Sequence, residues 1–383
     1  MVKKETFYII LLLIGVLLSA FKGDQKIQYF QSSTISLEPD NTKAFSINFK
    51  DSIPSDTLFQ IRSQEGIPIS YYRKVNTGIC FDNQCRLLDI KLFWNITGRY
   101  LGFELPEKEF LSKAEHEPFE EKEYERLHEI LAHSESPLGK FAYNQLMVAT
   151  VPNFAGVDAV SSATSPDVLQ HVVEGAVYTT YMLWHTVYGN TQDEVKQLTL
   201  SLLTPELVLQ ILESPDPSDR MWVVNEIPEE MEIINELRDK LLQLIDQDNY
   251  SLAERSINAF HSIDLTSEPL QLLLLEKFYQ SDYSLQKLII NKLNEAPELS
   301  CEVTLNLAFN IENFSGDILS RILDIFQKHN VSDSKVLQKV AVLLDRENVY
   351  VSKKVYNFLK HTRSHDKVVE QELLMYEKKR ATQ

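Results

Sequence analysis

Apolar positions in the second half of the chain recur every 33 residues. Steps of 33 from Asn225 reach Asn258, Asn291, Asp324 and Asn357, and an apolar or aromatic residue precedes each of them. A second row keeps the same step, through Leu237, Leu270, Val303, Val336 and Val369. Two helices per 33 residues are typical of an α-solenoid, in which each pair buries its apolar face on its neighbours. We therefore predict an all-α solenoid of about five repeats over residues 218–383.

The repeat resembles HEAT-like repeats, and the Trp, Gly, Tyr and Pro landmarks of tetratricopeptide repeats are missing. Residues 191–217 are predicted to form connecting helices that cap the array. Asn and Asp are poor helix formers, so the recurrent Asn or Asp needs a tertiary reason. We predict that each one forms a hydrogen bond to the loop of the neighbouring repeat.

The first half of the chain shows a different pattern, with short alternation of apolar and polar residues. This alternation predicts β-strands, over residues 44–50, 58–62, 79–81, 87–95 and 99–105. Helical spacing follows over residues 107–132 and again over 167–188. Residues 25–190 are therefore predicted to form an α+β domain with a small, mainly antiparallel sheet.

Two cysteines lie within this predicted sheet. Cys80 and Cys85 flank a short segment, and a turn at Asp82 and Asn83 would place them opposite each other on a hairpin. A disulfide there would contribute about 2 kcal/mol. Two unlinked thiols are the alternative. No metal site is predicted, because Cys301 is distant in sequence and no second close pair exists.

The N-terminus has the pattern of a secretory signal. Lys3 and Lys4 precede an uncharged apolar run over residues 7–21. This run is shorter than the roughly 20 residues that span a bilayer. We predict that residues 1–23 are a signal peptide, or alternatively an uncleaved N-terminal anchor, and that the protein is exported to a periplasmic or other extracytoplasmic location.

The charge balance limits the classes of partner. The net charge is −17 and the pI about 5.0, which argues against nucleic acid and anionic lipid surfaces. The sequence contains neither a Gly-x-Ser-x-Gly elbow nor a His-Glu-x-x-His motif. A hydrolase is therefore not predicted, and no residue is predicted to be catalytic.

Small and hydroxyl residues are concentrated at residues 158–166. Pro166 suits the first position of a helix, and Ser165 before it suits the N-cap. A helix that begins there would direct its N–H groups towards Thr164, an arrangement that favours a phosphate. The alternative is a capped helix start that follows a small-residue loop and has no ligand.

This segment resembles the attachment sequence of the FMN-binding domains of sodium-pumping NADH:quinone reductases, in which the flavin is bound covalently to a threonine. That pattern is Asp, two residues, Ser or Thr, Gly, Ala and Thr. Asp158, Ser161, Ala163 and Thr164 match it, and Ser162 replaces Gly. Residues 133–139, which include Glu135, are similar to the His-x-Glu-Thr-Pro-Gly segment that precedes the motif in the family.

The resemblance implies an exported electron-transfer protein. FMN would be attached to the Thr164 hydroxyl through a phosphoester by a separate Mg²⁺-dependent flavin transferase. The implied cofactor-binding residues are Thr164, Asp158, Ser161, Ser162, Ala163, Ser165 and Glu135. The protein would be a redox carrier rather than an enzyme with its own substrate. It would exchange electrons with a redox partner protein, and the solenoid would be its docking module.

The alternative function is an exported, non-catalytic scaffold. Its flavin-type domain would be degenerate, and the solenoid would bind a protein ligand.

Overall fold

The computed structural model describes residues 26–51, 53–78, 87–113, 117–142, 147–148, 163–164, 170–246 and 249–381. The chain forms two compact units. The first comprises Met1–Leu203 and Glu213–Asp219, and the second comprises Thr204–Leu212 and Arg220–Gln383. The predicted signal segment and both Cys80 and Cys85 lie outside the described residues. None of the helices in the described ranges is both long enough and apolar enough to cross a membrane.

A six-stranded antiparallel sheet forms the core of the first unit, in the order β1-β6-β5-β4-β3-β2. The strands are β1 (Gln28–Phe30), β2 (Asn41–Ser46), β3 (Thr57–Arg62), β4 (Pro68–Gly78), β5 (Leu87–Asn95) and β6 (Tyr100–Glu104). From β2 to β6 every strand pairs with the next one in sequence. The predicted α+β class with a mainly antiparallel sheet is confirmed.

The longest strand, β4, was not predicted from the sequence pattern. Its inward row consists of Ile69, Tyr71, Arg73 and Val75, all of which are buried. An arginine in an inward row breaks the alternation on which strand prediction depends. The predicted strand 44–50 also ends early, at Ser46. Beyond it Lys50 has a φ of +54°, which is incompatible with a continuing strand.

Both predicted helices of the first half begin later than expected. Helix α1 spans Glu121–Ala132 rather than 107–132, and Glu120 with Glu123 forms a capping box at its start. Before the helix, Ser112 and Pro118 form an isolated antiparallel bridge. Helix α2 spans Val177–Val187 rather than 167–188.

The late start of α2 has a local cause. Residues 170–176 form turns and bends, and Gly175 has a φ of +74°. That left-handed backbone interrupts a right-handed helix. Helix α3 (Asn190–Leu200) follows α2 and packs against it.

Eleven α-helices follow within the described residues, beginning with α4 (Pro205–Leu212). The first helices of the successive pairs are α5 (Pro217–Asn225), α7 (Tyr250–Asn258), α9 (Tyr283–Leu293), α11 (Gly316–Lys328) and α13 (Val349–Thr362). The second helices are α6 (Asn235–Ile245), α8 (Glu268–Gln280), α10 (Cys301–Phe309), α12 (Ser334–Ala341) and α14 (Lys367–Ala381). Within each set the starting residues differ by 33.

Side-chain caps explain why the helix starts are so regular. Asn249, Asp282, Ser315 and Asn348 each accept a backbone N–H at the start of a first helix. Ser267, Ser300, Asp333 and Asp366 do the same for second helices. Each cap satisfies an N–H group that has no partner within the helix, and it contributes about 1 kcal/mol. The period is therefore fixed at the helix termini as well as in the apolar core.

Equivalent helices stack on one another. First helices α7, α9, α11 and α13 pack in order, as do second helices α6, α8, α10, α12 and α14. The repeating apolar positions, such as Leu237, Leu270, Val303 and Val336, are buried between them.

The predicted ladder from the recurrent Asn and Asp to neighbouring loops is wrong. All five of these residues are exposed. Two of them instead accept bonds from cations on the next first helix. Arg321 donates to Asn291 over 2.9 Å, and Lys354 donates to Asp324 over 2.8 Å.

Candidate functional site

The predicted flavin-attachment residue lies in a short strand. Strand β8 (Ala163–Thr164) pairs with strand β7 (Met147–Val148), with Thr164 opposite Met147. The other predicted ligands Asp158, Ser161, Ser162 and Ser165 lie outside the described residues. The described residues therefore fix only the backbone at Ala163 and Thr164.

The helix predicted to follow Thr164 is not continuous. Because residues 170–176 form turns, the prediction of a continuous helix over 167–188 is wrong, although Val177–Val187 of that range is helical. The predicted direction of helix N–H groups towards Thr164, which would favour a phosphate, depended on that continuous helix and is no longer supported.

Glu135 is exposed in the turn that follows α1. The segment around it is held to α2 by aromatic side chains whose polar atoms bond to backbone carbonyls. Trp184 donates to the carbonyl of His133 over 3.1 Å, and Tyr188 donates to that of Leu131 over 2.7 Å. Burial raises the pKa of the Tyr188 phenol, so it remains protonated and continues to donate. These contacts give the segment a packing role.

The first unit contains a buried carboxylate that the sequence pattern did not single out. Asp219, in the first turn of α5, has no exposed surface. Its Oδ1 accepts from Asn95 Nδ2 (2.7 Å) and Thr97 Oγ1 (2.7 Å). Its Oδ2 accepts from Thr34 Oγ1 (2.8 Å) and Ser214 Oγ (2.7 Å).

Arg99 supplies the counter-charge. Its Nε and Nη2 donate to the two oxygens of Asp219 over 3.1 and 2.9 Å. Burial alone would raise the pKa of Asp219, but the hydrogen bonds and charge of Arg99, with the hydroxyls of Thr97 and Ser214, hold it below its usual value. A carboxylate with so many donors has no free lone pair to offer a substrate, so we assign it a structural role.

A second ion pair lies at β4 and joins a buried arginine to an exposed carboxylate, Asp51. Arg73 is fully buried, and its guanidinium donates to both oxygens of Asp51 over 2.6 and 3.0 Å. It also donates to the Ser55 carbonyl and to Thr191 Oγ1, and it lies 3.8 Å from the Phe49 ring centroid. All of its contacts are internal to the first unit, so this site also stabilises the fold.

Within the described ranges, no group of three or more His, Cys, Asp or Glu side chains is placed to hold a metal ion.

The second unit presents an exposed apolar row along three consecutive second helices. Two of its residues lie within α10 and α14, and Val342 directly follows the last residue of α12. Phe309, Val342 and Met375 each occupy the ninth position counted from the start of α10, α12 and α14. Their exposed fractions are 55%, 52% and 47%. Because α10 packs on α12 and α12 packs on α14, the three residues form one row. The row follows the 33-residue step that the sequence already shows, so following this position from repeat to repeat would have found it.

Comparisons with protein-family models, with curated proteins and with solved structures gave no match. The functional argument therefore depends on the chain's own residues.

Proposed function

We propose that this protein is a non-catalytic, protein-binding scaffold whose binding element is an array of five HEAT-like pairs. The observation that carries the proposal is the exposed row of Phe309, Val342 and Met375. Single exposed apolar residues are ordinary on protein surfaces. Three at one repeat position on neighbouring repeats form a row of exposed apolar side chains, which is typical of an interaction site. The N-terminal apolar run supports export of the scaffold.

The spacing of the row indicates the chemistry of the partner. Packed helices lie about 8–10 Å apart, so the row offers one apolar contact roughly every 10 Å. An α-helix rises about 10.5 Å in seven residues. An amphipathic helix with apolar residues at i, i+7 and i+14, lying across the second helices, would meet all three side chains.

Peptide display provides the test. A library of random peptides is selected on the wild-type protein, and the affinities of the enriched peptides are then measured for a row variant, Phe309→Ser/Val342→Ser/Met375→Ser. The matched control is Tyr250→Ser/Val349→Ser/Tyr350→Ser, which changes equally exposed residues on first helices.

We expect enriched peptides with apolar residues at seven-residue spacing. Their affinity should fall at least about 100-fold for the row variant, because buried apolar anchors contribute about 2 kcal/mol or more each. The control variant should bind normally. Peptides that bind the row variant as tightly as the wild type would contradict the proposal.

A flavin-carrying electron-transfer protein is the second candidate, and the match of Asp158, Ser161, Ala163 and Thr164 to the attachment motif favours it. Here FMN would be bound covalently through the Thr164 hydroxyl, and the helical array would dock a redox partner.

Covalent flavin would be visible as fluorescence on a denaturing gel after expression with an active flavin transferase. For a flavin carrier, Thr164→Ala should remove the band. Ser162→Gly, which restores the residue of the family pattern and frees the backbone there, should retain or strengthen it. No band from the wild type, alongside a modified control protein, rules this candidate out.

A further inference from the structure

The loops that join first helices to second helices lie along one edge of the array, here called the loop edge. They lie together because equivalent helices stack in order. Two grooves open on this edge. One, of about 550 Å³, lies between the loops after α5 and α7, and the other, of about 660 Å³, lies between the loops after α11 and α13.

The two grooves lie at equivalent positions of the repeat. Adding 99, which is three steps of 33, to Ile233, Asn235 and Ile263 gives Ser332, Ser334 and Thr362. The first three residues line the first groove and the last three line the second. With neighbouring helices about 8–10 Å apart, three steps place the grooves about 24–30 Å from each other.

The grooves carry opposite charges. The first is lined by Glu229, Glu230 and Glu232, all of which are exposed. Arg238 also lines it, but Asp239 neutralises that guanidinium over 2.7 Å.

The second groove is lined by Arg363, His365 and Lys367, which are also exposed. Its one carboxylate, Asp366, accepts backbone N–H groups at the start of α14 and a bond from Gln338.

Each groove also exposes an apolar side chain. Ile263 is 64% exposed in the acidic groove, and Val368 is 51% exposed in the basic groove. In the described part of the chain, none of the three glutamates and none of the three basic residues forms an ion pair. The grooves therefore offer both unpaired charge and apolar surface.

We propose that two copies of this chain pair through the loop edge as a two-fold symmetric dimer. In an antiparallel arrangement the acidic groove of each copy meets the basic groove of the other, so both contacts close at once. Such an interface is isologous, the commonest form in soluble oligomers. Complementary charge would fix the antiparallel register, because the parallel arrangement places like charges together.

A second copy fits better than an unrelated partner because one chain carries both halves of the interaction at equivalent positions. The basic groove is also an exception in a chain of net charge −17. This inference is independent of the apolar row, because none of the three row residues lies in the loops that join first helices to second helices.

Charge reversal provides the test, with mass measured by light scattering after size-exclusion chromatography. One variant carries Glu229→Lys, Glu230→Lys and Glu232→Lys, and the other carries Arg363→Glu, His365→Glu and Lys367→Glu. The wild type should be a dimer. Each variant alone should be a monomer, because its two grooves then carry the same sign.

Mixing the two variants should restore a dimer that contains one copy of each. The glutamate-to-lysine variant has two basic grooves, and the other variant has two acidic grooves. A chain with all six changes should again form a homodimer. All six positions are exposed, so the thermal unfolding temperature should not change. The row variant Phe309→Ser/Val342→Ser/Met375→Ser should remain dimeric, which separates a failure here from a failure of the proposed function.

A monomeric wild type, a dimer that persists in either single-groove variant, or open-ended growth with concentration would each overturn the proposal.

Discussion

Asp219→Asn is expected to lower the free energy of unfolding of the first unit by about 3–5 kcal/mol, the usual cost of removing one partner from a buried ion pair. The substitution removes the buried one of the two carboxylates that pair with the Arg99 guanidinium and leaves only the partly exposed Asp216. It also replaces an acceptor oxygen by an NH₂ group, which would face donors from Thr34 and Ser214 or from Asn95 and Thr97.

Urea unfolding followed by near-ultraviolet circular dichroism measures this effect. Glu129→Gln is the matched control, because Glu129 is exposed, belongs to the same unit and pairs with the exposed Arg126. Exposed pairs contribute about 0–1 kcal/mol, so the control should lose little stability. A loss of less than about 1 kcal/mol for Asp219→Asn would contradict the structural role given to the cluster.

The same site predicts a pH dependence of known sign. The pKa of Asp219 is lower in the folded protein than its ordinary value of about 3.9. Its contribution is therefore fully present above pH 4 and is lost as the pH falls through the folded-state pKa. As the pH is lowered below 4, the free energy of unfolding should therefore fall further for the wild type than for Asp219→Asn.

Asp51→Ala is expected to produce the second large effect, about 3 kcal/mol. Arg73 is fully buried, so without Asp51 its charge has no counter-ion and little water. The Ser55 carbonyl and the Phe49 ring would still contact it, but neither carries a negative charge.

A double-mutant cycle identifies the cause. Arg73→Met removes the buried charge and retains apolar volume, so Asp51→Ala/Arg73→Met should be more stable than Asp51→Ala alone. If the two losses simply added, the ion pair would not be the interaction that stabilises this part of the sheet.

The sequence predicted best the elements whose residues follow one period. The boundaries of β5 matched because its alternation is regular, and the 33-residue step of the second half reappears in the helix starts. The helix caps Asn249, Asp282, Ser315 and Asn348 keep the same step, but they were not predicted.

The failures also have physical causes. Strand β4 was not predicted because Arg73, a charged residue in an inward row, resembles a surface residue until its partners are known. Those partners, Asp51 and Thr191, are distant in sequence. For the same reason Asp219 could not be selected, since its donors Thr34 and Asn95 come together only in the folded chain. Helix α2 started late because helical spacing before Gly175 did not reveal the left-handed residue.

Site-specific photo-crosslinking in cells that make the protein tests the scaffold proposal most directly. A photoreactive benzoylphenylalanine replaces Val342 in one protein and Val349 in another. Both valines are exposed, but only Val342 belongs to the apolar row. We predict a discrete crosslinked partner protein from position 342 and none from position 349. A partner captured from position 349 and not from 342, or from neither position, would contradict the proposal.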